Sequence, residues 1–181
     1  MTFPPPPLLV IATFILAGAT LKLADQTGED RRSRAGYLSA VLAGVLLGSI
    51  ISYGPEESSI VIGIVVGVSL ARKIDRPNLL LGLLVTVATA YIRGFETPLV
   101  WLLVLVSILS LVDEVGHDRL GRKTGSLGVF FRYRVSLKVA LLFAAAASIV
   151  SATAAIGFLG FDGAYDATNW LLSGKNRNKA I

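Results

Sequence analysis

The sequence predicts an all-α, polytopic membrane helical bundle of about six transmembrane helices, folded as one integral membrane domain over residues 1–181. Three observations predict it. The chain is 54% hydrophobic with a mean hydropathy of +0.70, above the roughly 45–50% apolar content of soluble domains. Its apolar residues run in continuous blocks rather than alternating, which selects helices over a β-barrel. Its basic residues fall in alternate connections between those blocks, as they do where one side of a membrane protein faces the cytoplasm.

The first segment runs from about Leu8 to Ala24, and Pro4 to Pro7 give it a stiff, extended lead-in. This start has no basic n-region and no clear small-residue cleavage site, so it does not read as a secretory signal. The second segment runs from Gly36 to Tyr53, the third from Ser58 to Ala71 and the fourth from Asn78 to Ile92. The fifth runs from Pro98 to Val112, and the sixth and longest from about Val135 to Leu159. A crossing helix needs about 20 residues, so segments three to five are short and their polar flanks are expected to snorkel. Gly54-Pro55, Arg76-Pro77 and Gly94 mark the tight connections, because proline and glycine stop helices. Gly44 and Gly48, Gly63 and Gly67, and the Ala17-Gly18-Ala19 run place small residues where helices of one chain can approach closely.

Thirteen Lys and Arg residues lie in or beside the connections after segments one, three and five, against four on the other side. The basic side is then cytoplasmic and both termini lie outside, in a multi-pass cell-membrane protein. Basic loops of this kind also suit anionic lipid headgroups. Their scatter over several short connections does not suggest nucleic acid. The chain has no cysteine and one histidine. That excludes disulfides and thiolate sites and argues against zinc. A bound metal would be a hard cation held by carboxylates, with magnesium the first candidate.

A charged frame, D-x-x-G-x-D-R, occurs twice, as Asp25-Gln26-Thr27-Gly28-Glu29-Asp30-Arg31 and as Asp113-Glu114-Val115-Gly116-His117-Asp118-Arg119. Each copy follows an apolar run, giving two pseudo-repeated helix–acidic loop–helix hairpins on the cytoplasmic side. Asp25 and Asp113 are expected at the C-terminal ends of helices, where the negative end of the dipole disfavours a carboxylate. A cation there would relieve the conflict. Gly28 and Gly116 are expected to turn the chain back and aim the acids of each copy at one point. Arg31, Arg32, Arg34, Arg119, Arg122 and Lys123 follow at once and suit an oxyanion. The other reading is a pair of solvated, self-neutralising loops. His117 offers either a ligand or acid/base group, or a half-exposed loop histidine. Asp162 and Asp166 are expected on the outer face, in a turn capping a helix before Thr168-Asn169-Trp170 and apart from the cytoplasmic acids. Trp101 and Trp170 read as interface anchors.

The run Asp113-Glu114-Val115-Gly116-His117-Asp118-Arg119-Leu120-Gly121-Arg122-Lys123-Thr124 resembles the second aspartate-rich motif of the UbiA superfamily of intramembrane prenyltransferases. Asp25 to Asp30 stand in for that family's first motif, with Ala24 where the family has asparagine. The six segments would match the family's second to seventh helices. The resemblance implies a Mg2+-dependent prenyltransferase. Asp25 and Asp113 would be catalytic. Asp25, Glu29, Asp30, Asp113, His117 and Asp118 would form the metal-facing set, and Arg31, Arg32, Arg119, Arg122 and Lys123 would hold a prenyl diphosphate or another membrane lipid. A homo-oligomer could supply the missing helices. Two further classes stay open: a cation transporter or channel with an acidic cytoplasmic mouth, and a non-catalytic membrane subunit.

Overall fold

A computed structural model describes residues 5–28, 33–121 and 125–177 of the chain. These residues form eight α-helices: α1 (Pro7–Thr27), α2 (Arg34–Ile51), α3 (Pro55–Leu70), α4 (Pro77–Arg93), α5 (Val100–Leu120), α6 (Ser126–Arg132), α7 (Val135–Ala146) and α8 (Ala152–Arg177). No strand occurs among the described residues. Among the described residues, three helices, α1, α2 and α5, are long and apolar enough to cross a membrane.

Local chemistry sets the boundaries. Pro7, Pro55 and Pro77 each occupy the first turn of their helix, where the missing N–H is not needed. Ser33 caps α2 by accepting a hydrogen bond from the Gly36 amide at 3.3 Å. The first four expected segments match α1 to α4 closely. The fifth does not stop at Val112. It continues as helix through Asp113 to Leu120, because nothing in the second motif breaks it and Asp113 and Glu114 find partners inside the bundle.

The sixth segment is two helices, not one. The chain breaks between α7 and α8, where Ser148 adopts the left-handed conformation (φ 57°). The amides of Ser148 and Ile149 close the end of α7 by bonding to Ala145 and Ala144 carbonyls at 2.9 and 2.8 Å. The break reverses the chain, so α8 runs parallel to α1. Gly157 of α8 lies against Phe14, Phe161 against Gly18, and Asn169 against Gln26. The start of α1 and the end of α8 therefore lie at opposite ends of the bundle, contrary to the expectation that the termini share a side.

Helix α1 packs between α2 and α8, α4 packs on α2, and α3 packs on α5. Helices α6 and α7 return along α5, and α7 also meets α8. Small residues make these approaches. Gly44 and Gly48 sit against Gly82 and Thr86 of α4, while Gly63 and Gly67 sit against Val106 and Ser107 of α5. The expected glycine packing within one chain is borne out. Phe14, Ile50, Ile60, Leu102, Leu141 and Phe158 fill the core between the two ends. Apolar side chains such as Leu84, Val87, Ile92, Val100 and Ile108 remain exposed on the outside, as a hydrocarbon environment permits.

A side chain at Gly18 would collide with the Phe161 carbonyl of α8, whereas Gly163 has open space around it. Gly18→Leu is expected to cost about 1–3 kcal/mol through overpacking, and Gly163→Ala to leave stability unchanged or slightly raised. Thermal unfolding in detergent, followed by circular dichroism, checks both.

Candidate functional site

The acids of the second motif are helical, and their spacing decides what they face. Asp113 is 2% exposed. Its Oδ1 accepts the Ser136 amide at 3.2 Å and its Oδ2 accepts the Leu137 amide at 3.0 Å. These are first-turn amides of α7, so Asp113 caps a helix other than its own. The conflict expected at Asp113 does not arise: the residue lies within α5, and the positive end of the α7 dipole supplies the compensation.

Glu114, the next residue, bonds to Arg134. Its Oε1 lies 2.8 Å from the guanidinium Nη2. Arg134 occupies the position just before α7 in a left-handed conformation (φ 49°), which costs an L-residue roughly 1–2 kcal/mol. Burial works against its charge. Glu114, Tyr165 and Asp162 outweigh that effect and raise its pKa above the usual arginine value.

The Arg134 guanidinium also lies 5.4 Å from the Tyr165 ring centroid, and Lys22 Nζ of α1 lies 4.9 Å from the same centroid. Tyr165 OH is 3.5 Å from Asp25 Oδ2. Asp25 in turn holds Lys22 at 3.0 Å and Arg76 at 3.2 Å. The two motif copies thus converge through one chain of contacts: Glu114, Arg134, Tyr165, Lys22 and Asp25. Lys138 of α7 completes the cluster by pairing with Asp162 and lying 3.8 Å from Asp166.

The placement of Asp162 and Asp166 corrects the expectation that they lie in a capped turn on the outer face. α8 is continuous there. Asp162, Tyr165, Asp166 and Asn169 recur at helical spacing and form one polar stripe. The reversal at Ser148 carries that stripe back to the charged end.

Neither motif glycine turns the chain back. Gly116 lies inside α5, where its missing side chain admits the Phe131 ring of α6. Gly28 ends α1 in a right-handed conformation (φ −80°) and makes room for Asn78. Asn78, 2% exposed, donates from Nδ2 to the Ala24 carbonyl at 2.8 Å and ties α4 to the end of α1. His117 is half-buried in α5, not in a loop. Its Nδ1 is buried and has no hydrogen-bond partner among the described residues. Asp118 points away from the cluster to Lys73, at 2.7 Å, and Arg119 is exposed. Glu29, Asp30, Arg31, Arg32, Arg122 and Lys123 lie outside the described residues.

Magnesium asks for several hard oxygen donors in near-octahedral geometry around one point. Among the described residues, no three His, Asp or Glu side chains gather in that way. Asp113 is held by amides, Glu114 by Arg134, Asp118 by Lys73 and Asp25 by Lys22 and Arg76. These four carboxylates are thus paired within the fold, while Glu29 and Asp30 of the expected metal-facing set lie outside the described residues.

Lys22, Arg134, Lys138, Tyr165 and Asn78 were not singled out as site residues from the sequence. The acids at helical spacing within Phe161-Asp162-Gly163-Ala164-Tyr165-Asp166 were the available signal for the α8 stripe. Comparison with protein-family models, curated proteins and solved structures finds no match to this chain.

The Glu114–Arg134 pair predicts an asymmetric mutational response. Glu114→Gln alone is expected to cost up to about 3 kcal/mol, the low end for a buried pair because Arg134 keeps some solvent access. Adding Arg134→Met is expected to recover much of that loss. Unfolding of the single and double variants in detergent measures the coupling.

Proposed function

We propose that this chain is a multi-pass membrane protein whose basic, cytoplasmic end binds the diphosphate of an isoprenoid amphiphile, as a short UbiA-like protein. The observation that carries this reading is the convergence of both D-x-x-G-x-D-R copies on one cluster rich in cations, namely Lys22, Arg76, Arg134 and Lys138. Each cation already faces a carboxylate. An entering diphosphate would compete with Asp25, Glu114 and Asp162 for the same donors, and its oxygens suit the planar forks of Arg76 and Arg134. Clustering of the basic residues at one end supports a cytoplasmic placement of the site. The resemblance adds prenyl transfer, in which the bond between the allylic carbon and the diphosphate oxygen breaks, diphosphate leaves, and the carbon bonds to a nucleophilic acceptor that gives up a proton.

A second reading, a non-catalytic membrane subunit, is favoured by the pairing of every described motif carboxylate within the fold. Under that reading the two copies are clasps between helices. The cation-channel reading gains no support from the core, where Phe14, Ile50, Ile60 and Leu102 pack between the two ends.

Binding of geranylgeranyl diphosphate to the purified protein, with and without Mg2+, tests the first reading. Micromolar binding that weakens at least about tenfold in Arg76→Gln is expected, as for loss of a charge-assisted contact. No binding, together with a partner chain co-purifying in fixed ratio, would establish the second reading instead.

A further inference from the structure

The α5–α6 elbow carries a feature that the charged cluster does not use. Leu111, Val112, Val115 and Leu120 of α5 and Phe131 of α6 line a wholly apolar groove of about 450 Å³, to which Arg119 contributes its hydrocarbon stem. Gly116 forms the floor and lets the Phe131 ring close one side. Beside the groove, α6 exposes Leu127 and Val129, and Tyr133 follows, also exposed. A seven-residue helix with such a surface suits the level where hydrocarbon meets headgroups.

The charges around the groove differ from those of the cluster. Lys22, Lys73, Arg76, Arg134 and Lys138 each face a carboxylate. Arg119 and Arg132 are exposed and have no carboxylate partner among the described residues. Arg132 donates only from Nε, to the Gly121 carbonyl at 3.1 Å, which fixes its stem at the elbow. The Arg119 stem thus lines the groove, and Arg132 is anchored at Gly121, directly after the lining residue Leu120.

We infer that this groove docks one anionic phospholipid of the surrounding bilayer, with a hydrocarbon chain along α5 against Phe131 and the phosphate between Arg119 and Arg132. Charge complementarity selects this occupant. A neutral lipid would fill the groove but leave both arginines unused, and a free anion would use the arginines but leave the groove empty. The inference rests on placement in a membrane and not on the diphosphate reading.

Native mass spectrometry of the full chain in mild detergent, titrated with phosphatidylglycerol or phosphatidylcholine, tests it. Wild type is expected to retain one phosphatidylglycerol about tenfold more tightly than phosphatidylcholine. The double variant Arg119→Gln/Arg132→Gln is expected to bring the two lipids to parity. Val112→Trp, which fills the groove from an exposed position, is expected to weaken both. Arg93→Gln, beside Tyr53 at the other end of the bundle, is expected to leave lipid retention unchanged. Equal retention of both lipids by wild type, or an undiminished preference in the double variant, would overturn the inference. So would displacement of the lipid by inorganic phosphate at comparable concentration.

Discussion

The end of the bundle that carries the charges depends on one requirement: a charge removed from water must meet an opposite charge or a set of hydrogen-bond donors. Arg134 shows it most clearly. Its backbone is left-handed, its side chain is largely buried, and three helices contribute to its surroundings. Glu114 of α5 holds the guanidinium, Tyr165 of α8 offers a ring face, and the α7 helix begins at the next residue. Asp113 then caps that helix. Two successive residues of α5 therefore fix both the direction in which α7 leaves and the side chain that introduces it.

The same requirement explains why an acidic motif can remain helical. A carboxylate exposed at a helix C-terminus would be disfavoured and would promote a loop. A carboxylate facing the first-turn amides of another helix stabilises both helices. At Asp25 the solution is ionic instead, with Lys22 one turn earlier and Arg76 reaching across from the connection before α4. The two copies of the frame are alike in sequence but are satisfied by different chemistry. The described part of the site is accordingly a balanced network of ions, and a ligand must enter it by exchange rather than by filling a vacant set of donors.

Close packing around small residues lets this network form. Gly18 allows α8 to approach α1 near the Phe161 carbonyl, and that approach sets the height at which Tyr165 and Asn169 reach Lys22 and Gln26. Gly116 does the same for α6, and its absent side chain also leaves the groove beside Arg119. Packing and chemistry are linked here through helix spacing. A shift of one turn would take the stripe of α8 away from the cations.

Much of the architecture was legible from residue order. Continuous apolar runs, helix-starting prolines and clustered basic residues are local or additive properties, so they located the first four helices and the charged end. Gly44, Gly48, Gly63 and Gly67 likewise announced close packing without naming the partners. Tertiary structure alone decided three things. It broke the sixth run at Ser148, because the end of α7 closes on its own carbonyls and α8 gains a parallel seat along α1. It kept Asp113 and Glu114 in a helix, because their compensating groups come from residues 20 to 24 positions away. It also carried Asp162, Tyr165 and Asp166 to the same end as both motifs. Periodicity reports which residues share a face. Which face meets which charge depends on chain reversals and long-range pairing, and those appear only when the helices are packed together.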